Sequence, residues 1–255
     1  MKRLLVLLYG ITSYVVFFAT FLYSIGFIGN LIVPKSIDSV PGAPLGTALF
    51  INLLLLGVFA VQHSLMARPF FKRWLNRFIP EAAERSAYVL ASSIALILLF
   101  VLWEPLGGVV WSLESTAAVT LSYIGFAFGW GLVLFSTFAI NHFDLFGLRQ
   151  TWKHFRRVDY TPLKFVQPWI YRVVRHPLYV GWFFVFWCTP TMTVTHLLFA
   201  IATTAYTLIG IQLEERDLIN AHPEYEAYKR EVPALLPSIN GPAKLNTAEA
   251  KVRAP

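Results

Sequence analysis

Two charged clusters flank apolar stretches in the last third of the 255-residue chain, and their residue types suit a small-molecule site. The first, "YRVVRHPLYVGW", sets Arg172, Arg175 and His176 just before Pro177 and an apolar run. The second sets Glu214, Glu215 and Arg216 where a longer apolar run ends. Adjacent carboxylates at that exit bring no obvious structural benefit, and at a helix C-terminus they oppose the dipole unless the helix runs on. Ala200, Thr203, Thr207, Gly210 and Glu214 recur at spacings of three and four, so one helix face is small and polar, then acidic. Such a face serves either close helix packing or the wall of a pocket for a polar ligand. Pro177 suits the first turn of a helix, where its missing N–H costs nothing.

Proton-transfer chemistry would fall to histidines. Polar groups inside or at the ends of apolar spans are costly and therefore suggest function. Gln62 and His63 lie near the end of one such run, in "AVQHSLMAR", and Asn141, His142 and Asp144 stand at the mouth of another. His154, His176 and His222 fall on the same side of the membrane, whereas His196 sits at the opposite turn and reads as an interfacial residue. The ligand types would suit a metal, but no HxxxH or HExxH spacing occurs, so no metal site is expected. Cys188, the single cysteine, allows no internal disulfide and reads as a small apolar filler.

These groups need elements to carry them. Hydrophobic residues make up 56% of the chain and charged ones only 14%, against about a quarter charged in soluble domains. Apolar runs Leu4–Ile28, Leu45–Met66, Ala87–Trp103 and Ala117–Ile140 approach or exceed the roughly 20 residues that cross a bilayer. The first is too long for a signal-peptide core of about 7–15 residues and reads as an uncleaved span. A fifth apolar region, from Pro177 to Leu213, breaks at "CTPTMT" and reads as a helical hairpin with a short first arm and a longer second arm from about Val194. Whether the short arm crosses the membrane stays open at this level. Gly125 and Gly129 permit close helix packing.

The net charge of +7 lies between the apolar runs, in Arg68–Arg85, in Asn141–His176 and at both ends, which is the pattern of membrane orientation rather than of nucleic-acid binding. Both termini and both motifs are therefore expected on the cytoplasmic side. The expected architecture is an all-α, polytopic integral membrane bundle of four spans plus the C-terminal hairpin, five or six spans in all, in a bacterial inner membrane. Residues 1–140 form its four-helix transmembrane region, 141–240 a region carrying the two motifs and the hairpin, and 241–255 a flexible tail. Oligomeric state is not legible.

"RHPLYVG", an apolar hairpin and then "EERDL" with "HPEYEAYKREVP" together resemble the membrane methyltransferase superfamily that includes isoprenylcysteine carboxyl methyltransferases and phospholipid N-methyltransferases. The upstream "AVQHSLMARP" and "INHFDLFGLRQTW" are similar to the bacterial membrane methanethiol S-methyltransferases, which make dimethyl sulfide, and extend the likeness over most of the chain. The histidine-containing "QHSLMAR" also resembles membrane proteins of the NnrU type.

The resemblance implies S-adenosylmethionine bound by the paired motifs on the cytoplasmic side, S-adenosylhomocysteine as product, and a small thiol reaching the methyl group from the membrane-embedded part. On this likeness His176, Pro177, Tyr179 and Gly181 shape the cofactor pocket, and Glu214, Glu215 and Arg216 hold its ribose, amino and carboxylate groups. Arg172 and Arg175 are further carboxylate partners, since a guanidinium binds carboxylate bidentately. Tyr206 stacks or hydrogen-bonds lower in the groove. A thiol is mostly protonated at neutral pH, the cysteine thiol titrating at about 8.5. His142, with Asp144 beside it, is the first expectation for a general base and His63 the second, with thiolate stabilisation by an arginine as the rival. The competing readings are a methyltransferase for a larger lipid or prenylcysteine carboxylate, and a non-catalytic membrane protein of the NnrU type.

Overall fold

Prolines set where the helices begin. Pro44 and Pro80 directly precede helices, and Pro69 and Pro177 occupy first-turn positions. Proline supplies a fixed backbone angle there and loses no hydrogen bond. The computed structural model describes residues 1–163 and 167–238. The expected tail 241–255 lies outside the described residues.

Among the described residues five helices are long and apolar enough to cross a membrane: α1 (Lys2–Gly29), α2 (Leu45–Met66), α4 (Glu81–Leu102), α5 (Thr116–Ile140) and α9 (Val194–Ala221). Shorter helices join them: α3 (Pro69–Leu75), α6 (His142–Leu145), α7 (Leu148–Arg156), α8 (Pro177–Trp187) and α10 (Tyr225–Glu231), with a 3₁₀ turn at Trp169–Arg172. The fold is the polytopic helical bundle expected from the sequence. The third span starts at Glu81 rather than Ala87, because Pro80 caps it and Glu81 and Glu84 complement the positive end of the helix dipole.

Small hydroxyl residues fill the interior while large apolar side chains face outward. Ser13, Thr20, Ser93 and Ser136 are buried and bond carbonyls one turn back on their own helices, so their burial leaves no unpaired group. Leu22, Phe50, Ile94, Leu121 and Ile209 are among the exposed apolar side chains that a bilayer would cover. An aromatic core of Phe27, Phe100, Trp103, Phe126, Trp130, Phe186 and Phe199 ties α1, α4, α5, α8 and α9 together.

Polar clamps close the end of the bundle away from the two motifs. Asn52 holds both backbone groups of Glu104, at 2.6 and 2.9 Å. A two-stranded antiparallel sheet, unexpected from sequence, pairs β1 (Val109–Ser112) with β2 (Thr191–Thr193). It answers how far the hairpin goes. The 11 residues of α8 span only about 16 Å, half a bilayer core. The segment Cys188–Thr193 follows it and delivers β2 to β1, in the loop between α4 and α5. His196 is not an interfacial residue: it is 1% exposed, its Nε2 lies 3.0 Å from the Phe186 carbonyl and its Nδ1 3.6 Å from Asp38.

α8 packs most closely on α5. A side chain at Gly129 would meet the Gly181 carbonyl oxygen at 2.8 Å, and one at Gly181 would meet the Gly129 carbonyl oxygen at 2.8 Å and Val133 at 2.9 Å. The smallness of Gly181 thus serves helix contact, and this contact positions the first motif.

Candidate functional site

The two motifs meet through a buried ion cluster. Arg175 Nε and Nη2 donate to Glu215 Oε1 at 2.8 and 2.7 Å, and His176 Nε2 lies 3.0 Å from the same oxygen. Lys229 Nζ, on α10, lies 2.8 Å from Glu215 Oε2. Glu215 and His176 are each 5% exposed. The backbone joins in: Arg175 N–H donates to Pro233 O and His176 N–H to Ala234 O, while Arg175 Nη1 donates to the carbonyls of Lys229 and Val232. A buried carboxylate needs this much compensation. α9 runs on to Ala221, past both glutamates, so neither sits at a helix end.

Glu214 faces the other way. It is exposed, and Tyr179 Oη donates to its Oε2 at 2.7 Å. Its charge bears on the phenols of Tyr88, Tyr171, Tyr179 and Tyr225, so a carboxylate stands among aromatic rings where the motifs meet. Burial and then Glu214 raise the Tyr171 phenol, and burial and then Glu215 push Tyr225 up to about 12. Pro177 is buried in the first turn of α8, and Arg172 and Arg216 are exposed. Arg175 differs from them, because Glu215 and two carbonyls occupy its guanidinium.

A second polar group adjoins from α2 and α4. His63 Nδ1 lies 3.1 Å from Ser92 Oγ, and its Nε2 lies 2.7 Å from Tyr88 Oη. Ser92 can accept or donate, so either neutral tautomer of His63 is satisfied. Tyr206 Oη lies 3.0 Å from Ser64 Oγ, and Arg68 pairs with Asp217 at 2.9 Å, which ties α2 to α9. Between those helices runs an apolar groove of about 210 Å³, lined by Gly57, Phe59, Ala202, Thr203 and Tyr206 among others. Tyr88 and Ser92 escaped the sequence reading because they sit in an apolar run; their spacing of four on one helix face was the available signal.

His142 and Asp144 have other partners. His142 is 3% exposed and stacks on Phe138 with ring centroids 4.2 Å apart. Thr137 donates its hydroxyl to Leu134 O, so its oxygen accepts from His142 Nδ1–H at 2.8 Å, and Nε2 accepts from Tyr14 Oη at 2.8 Å. One neutral tautomer is therefore locked. Asp144 pairs with Arg149 at 2.6 Å and accepts from Tyr160. Among the described residues, neither shares a hydrogen bond or ion pair with the Glu215 cluster.

Burial holds the His142 imidazole below its ordinary 6.5. The unfolded chain then binds a proton more readily, so this histidine costs no stability above about 6.5 and stability falls as the pH drops from there through the depressed folded value. The unfolding midpoint should decline over that window in the wild type and less steeply in His142→Gln, as thermal unfolding at stepped pH would register.

An integral membrane protein with five span-length apolar helices among the described residues, whose last two apolar arms return charged motifs to one polar site at the bundle end, is the class this fold and site define. The chain belongs to the methanethiol S-methyltransferase family. It is 55% identical over 240 residues to the Methanethiol S-methyltransferase of Crocosphaera subtropica, covering 94% of each chain. It is 50% identical to that of Mycobacterium tuberculosis, over 93% of this chain and 98% of that one. Nurim of Rattus norvegicus is 32% identical over 66% of each chain. No family model matches the chain, and no solved structure does.

Proposed function

We propose that the protein transfers a methyl group from S-adenosylmethionine to methanethiol, giving dimethyl sulfide and S-adenosylhomocysteine, at the cytoplasmic boundary of a bacterial inner membrane. The observation that carries this reading is the outward carboxylate of Glu214, held by Tyr179 among aromatic rings and braced from behind by the Arg175–Glu215–His176 clamp. The basic segments 68–85 and 149–175 supply the orientation.

The residues fit the donor. Aromatic faces attract a sulfonium or ammonium cation, and an exposed carboxylate accepts from an amine or ribose hydroxyls. Arg172 and Arg216 are open to a carboxylate, whereas Arg175, His176 and Glu215 act by positioning. When bound, S-adenosylmethionine supplies a methyl on a sulfonium, and its transfer to a thiolate turns opposite charges into neutral products. The apolar helices around the site keep water scarce, which favours a step that destroys charge. The groove between α2 and α9 gives an apolar thiol a path from the bilayer to Tyr206. His63, through the Tyr88 hydroxyl, is the proton acceptor this geometry favours over His142, because its tautomer is free to change.

Calorimetric titration of the purified protein with S-adenosylhomocysteine should show saturable binding, and headspace analysis with methanethiol and S-adenosylmethionine should show dimethyl sulfide. Absence of binding would remove the donor. Binding without dimethyl sulfide, but with methylation of a prenylcysteine or lipid, would transfer the site to the larger substrate.

A further inference from the structure

Among the described residues, every lysine and arginine that is not exposed takes part in a hydrogen bond or ion pair, except Arg85. Arg68 has Asp217, Lys72 has Glu84, Arg149 has Asp144 and Arg175 has Glu215. Lys35 and Lys153 reach carbonyls. A partly buried arginine with no anion beside it among the described residues is costly, and an anchor at the membrane surface would gain nothing from being withdrawn from water.

Arg85 has a defined place in the fold. Arg85, Tyr88 and Ser92 follow a spacing of three and then four, and so share one face of α4. The two hydroxyls of that face hold both ring nitrogens of His63. The charge of Arg85 reaches Tyr88 on its own helix and Tyr160 beyond α7, while Glu214 also bears on Tyr88. Arg85 therefore stands one turn from Tyr88, the hydroxyl that bonds the proposed proton acceptor, on the α4 side of the Glu214 site. The motif arginines Arg172 and Arg216 remain for the donor's carboxylate.

We infer that Arg85 is the counter-ion of the substrate sulfur, holding the small thiol as its thiolate for methyl transfer. The thiol S–H bond breaks and its proton passes to His63 through Tyr88. A lone pair of the thiolate sulfur forms the new S–C bond as the donor's S⁺–CH₃ bond breaks, and that bond's electrons stay on the donor sulfur. Arg85 is unchanged throughout, and His63 returns its proton to solvent. The inference rests on the methyl-transfer reading above.

Other ionisable groups on α4, on the helices packed against it and around the proposed site would shape any pH profile. Glu84 and Tyr88 share its helix, His63 comes from α2 and Arg68 from the turn between α2 and α3, and Tyr9 and Tyr14 lie on α1. Arg149, Lys153 and His154 lie on α7, with Asp144 and Tyr160 nearby, and Tyr206 and Glu214 stand on α9. All of them are kept in Arg85→Gln, so the difference between variant and wild type isolates the cation.

The test is turnover of Arg85→Gln and Arg85→Lys with methanethiol across pH, beside calorimetry with S-adenosylhomocysteine. Arg85→Gln should keep its S-adenosylhomocysteine affinity, which also certifies the fold, and lose about 10²–10³-fold in kcat/KM at neutral pH, the usual effect of removing a charge-stabilising group. The deficit should narrow once the pH exceeds the thiol range, about 8.5 for cysteine, because the thiolate then forms unaided. Arg85→Lys should recover part of the turnover. An equal deficit at every pH, unchanged turnover, or S-adenosylhomocysteine affinity falling in step with turnover would each overturn the assignment. A wild-type protein that neither binds S-adenosylhomocysteine nor makes dimethyl sulfide would overturn the methyl-transfer reading itself, a distinguishable result.

Discussion

Glu215→Gln will lower the stability of the protein sharply, while its neighbour variant Glu214→Gln will leave stability nearly unchanged and weaken donor binding. Glu215 is 5% exposed and faces Arg175, His176 and Lys229. A neutral amide there leaves the buried Arg175 guanidinium without its charge partner, a change that costs about 3–5 kcal/mol for buried pairs. It would also loosen the backbone junction of Arg175 and His176 with Pro233 and Ala234, so α10 should come adrift first. Among the described residues Glu214 is exposed and gives only the Tyr179 hydrogen bond to the fold, so its removal should cost within about 0.5 kcal/mol. A hydrogen bond from a ligand to this charged group is worth about 1.5–3 kcal/mol, which is a loss of roughly ten- to a hundred-fold in S-adenosylhomocysteine affinity. Thermal unfolding in detergent and calorimetry read the two effects separately. Wild-type stability in Glu215→Gln would refute the clamp, and wild-type affinity in Glu214→Gln would remove Glu214 from the donor site.

The contrast between adjacent glutamates marks where sequence reading ends. Span lengths, the break at Cys188–Thr193 and the return of both motifs to one face follow from hydropathy, proline chemistry and alternating crossings, all properties of a chain read locally. The period of a helix also says that positions 214 and 215 point about 100° apart. It does not say that α10 comes back to cover only one of them, because that depends on Tyr225, Tyr228 and Val232 packing on Leu218 and Ile219. Gly181 is a similar case: a glycine in a binding motif suggests close approach of a ligand, and here the close approach is that of Gly129 on α5. Arg85 was hidden by number, one basic residue among several that orient the loop. Only burial and partners distinguish it.

The two candidate histidines should separate just as cleanly. His142→Ala will destabilise the protein while the folded fraction keeps its turnover. The imidazole stacks on Phe138 and bonds Tyr14, which comes from α1, 128 residues away, and Thr137. Its loss leaves two hydroxyls short of a partner and a void among rings, effects of about 1–3 kcal/mol for the unpaired groups plus a cavity cost. No feature of "INHFDLFG" announces this, since the cage is assembled from distant parts of the chain. His63→Ala should do the opposite. Ser92 keeps Gln62 as a partner, so His63→Ala strands one hydroxyl, that of Tyr88, where His142→Ala strands two, and its loss of stability should be the smaller. Methanethiol turnover should fall by about 10²–10⁴-fold, the range for a general base, with S-adenosylhomocysteine affinity retained. The loss in His63→Ala should shrink at high pH along with that of Arg85→Gln, since both act on the same thiol proton. If His142→Ala loses turnover at full stability while His63→Ala stays active, the proton leaves by the α1–α5 side and the role of Tyr88 falls with that of His63.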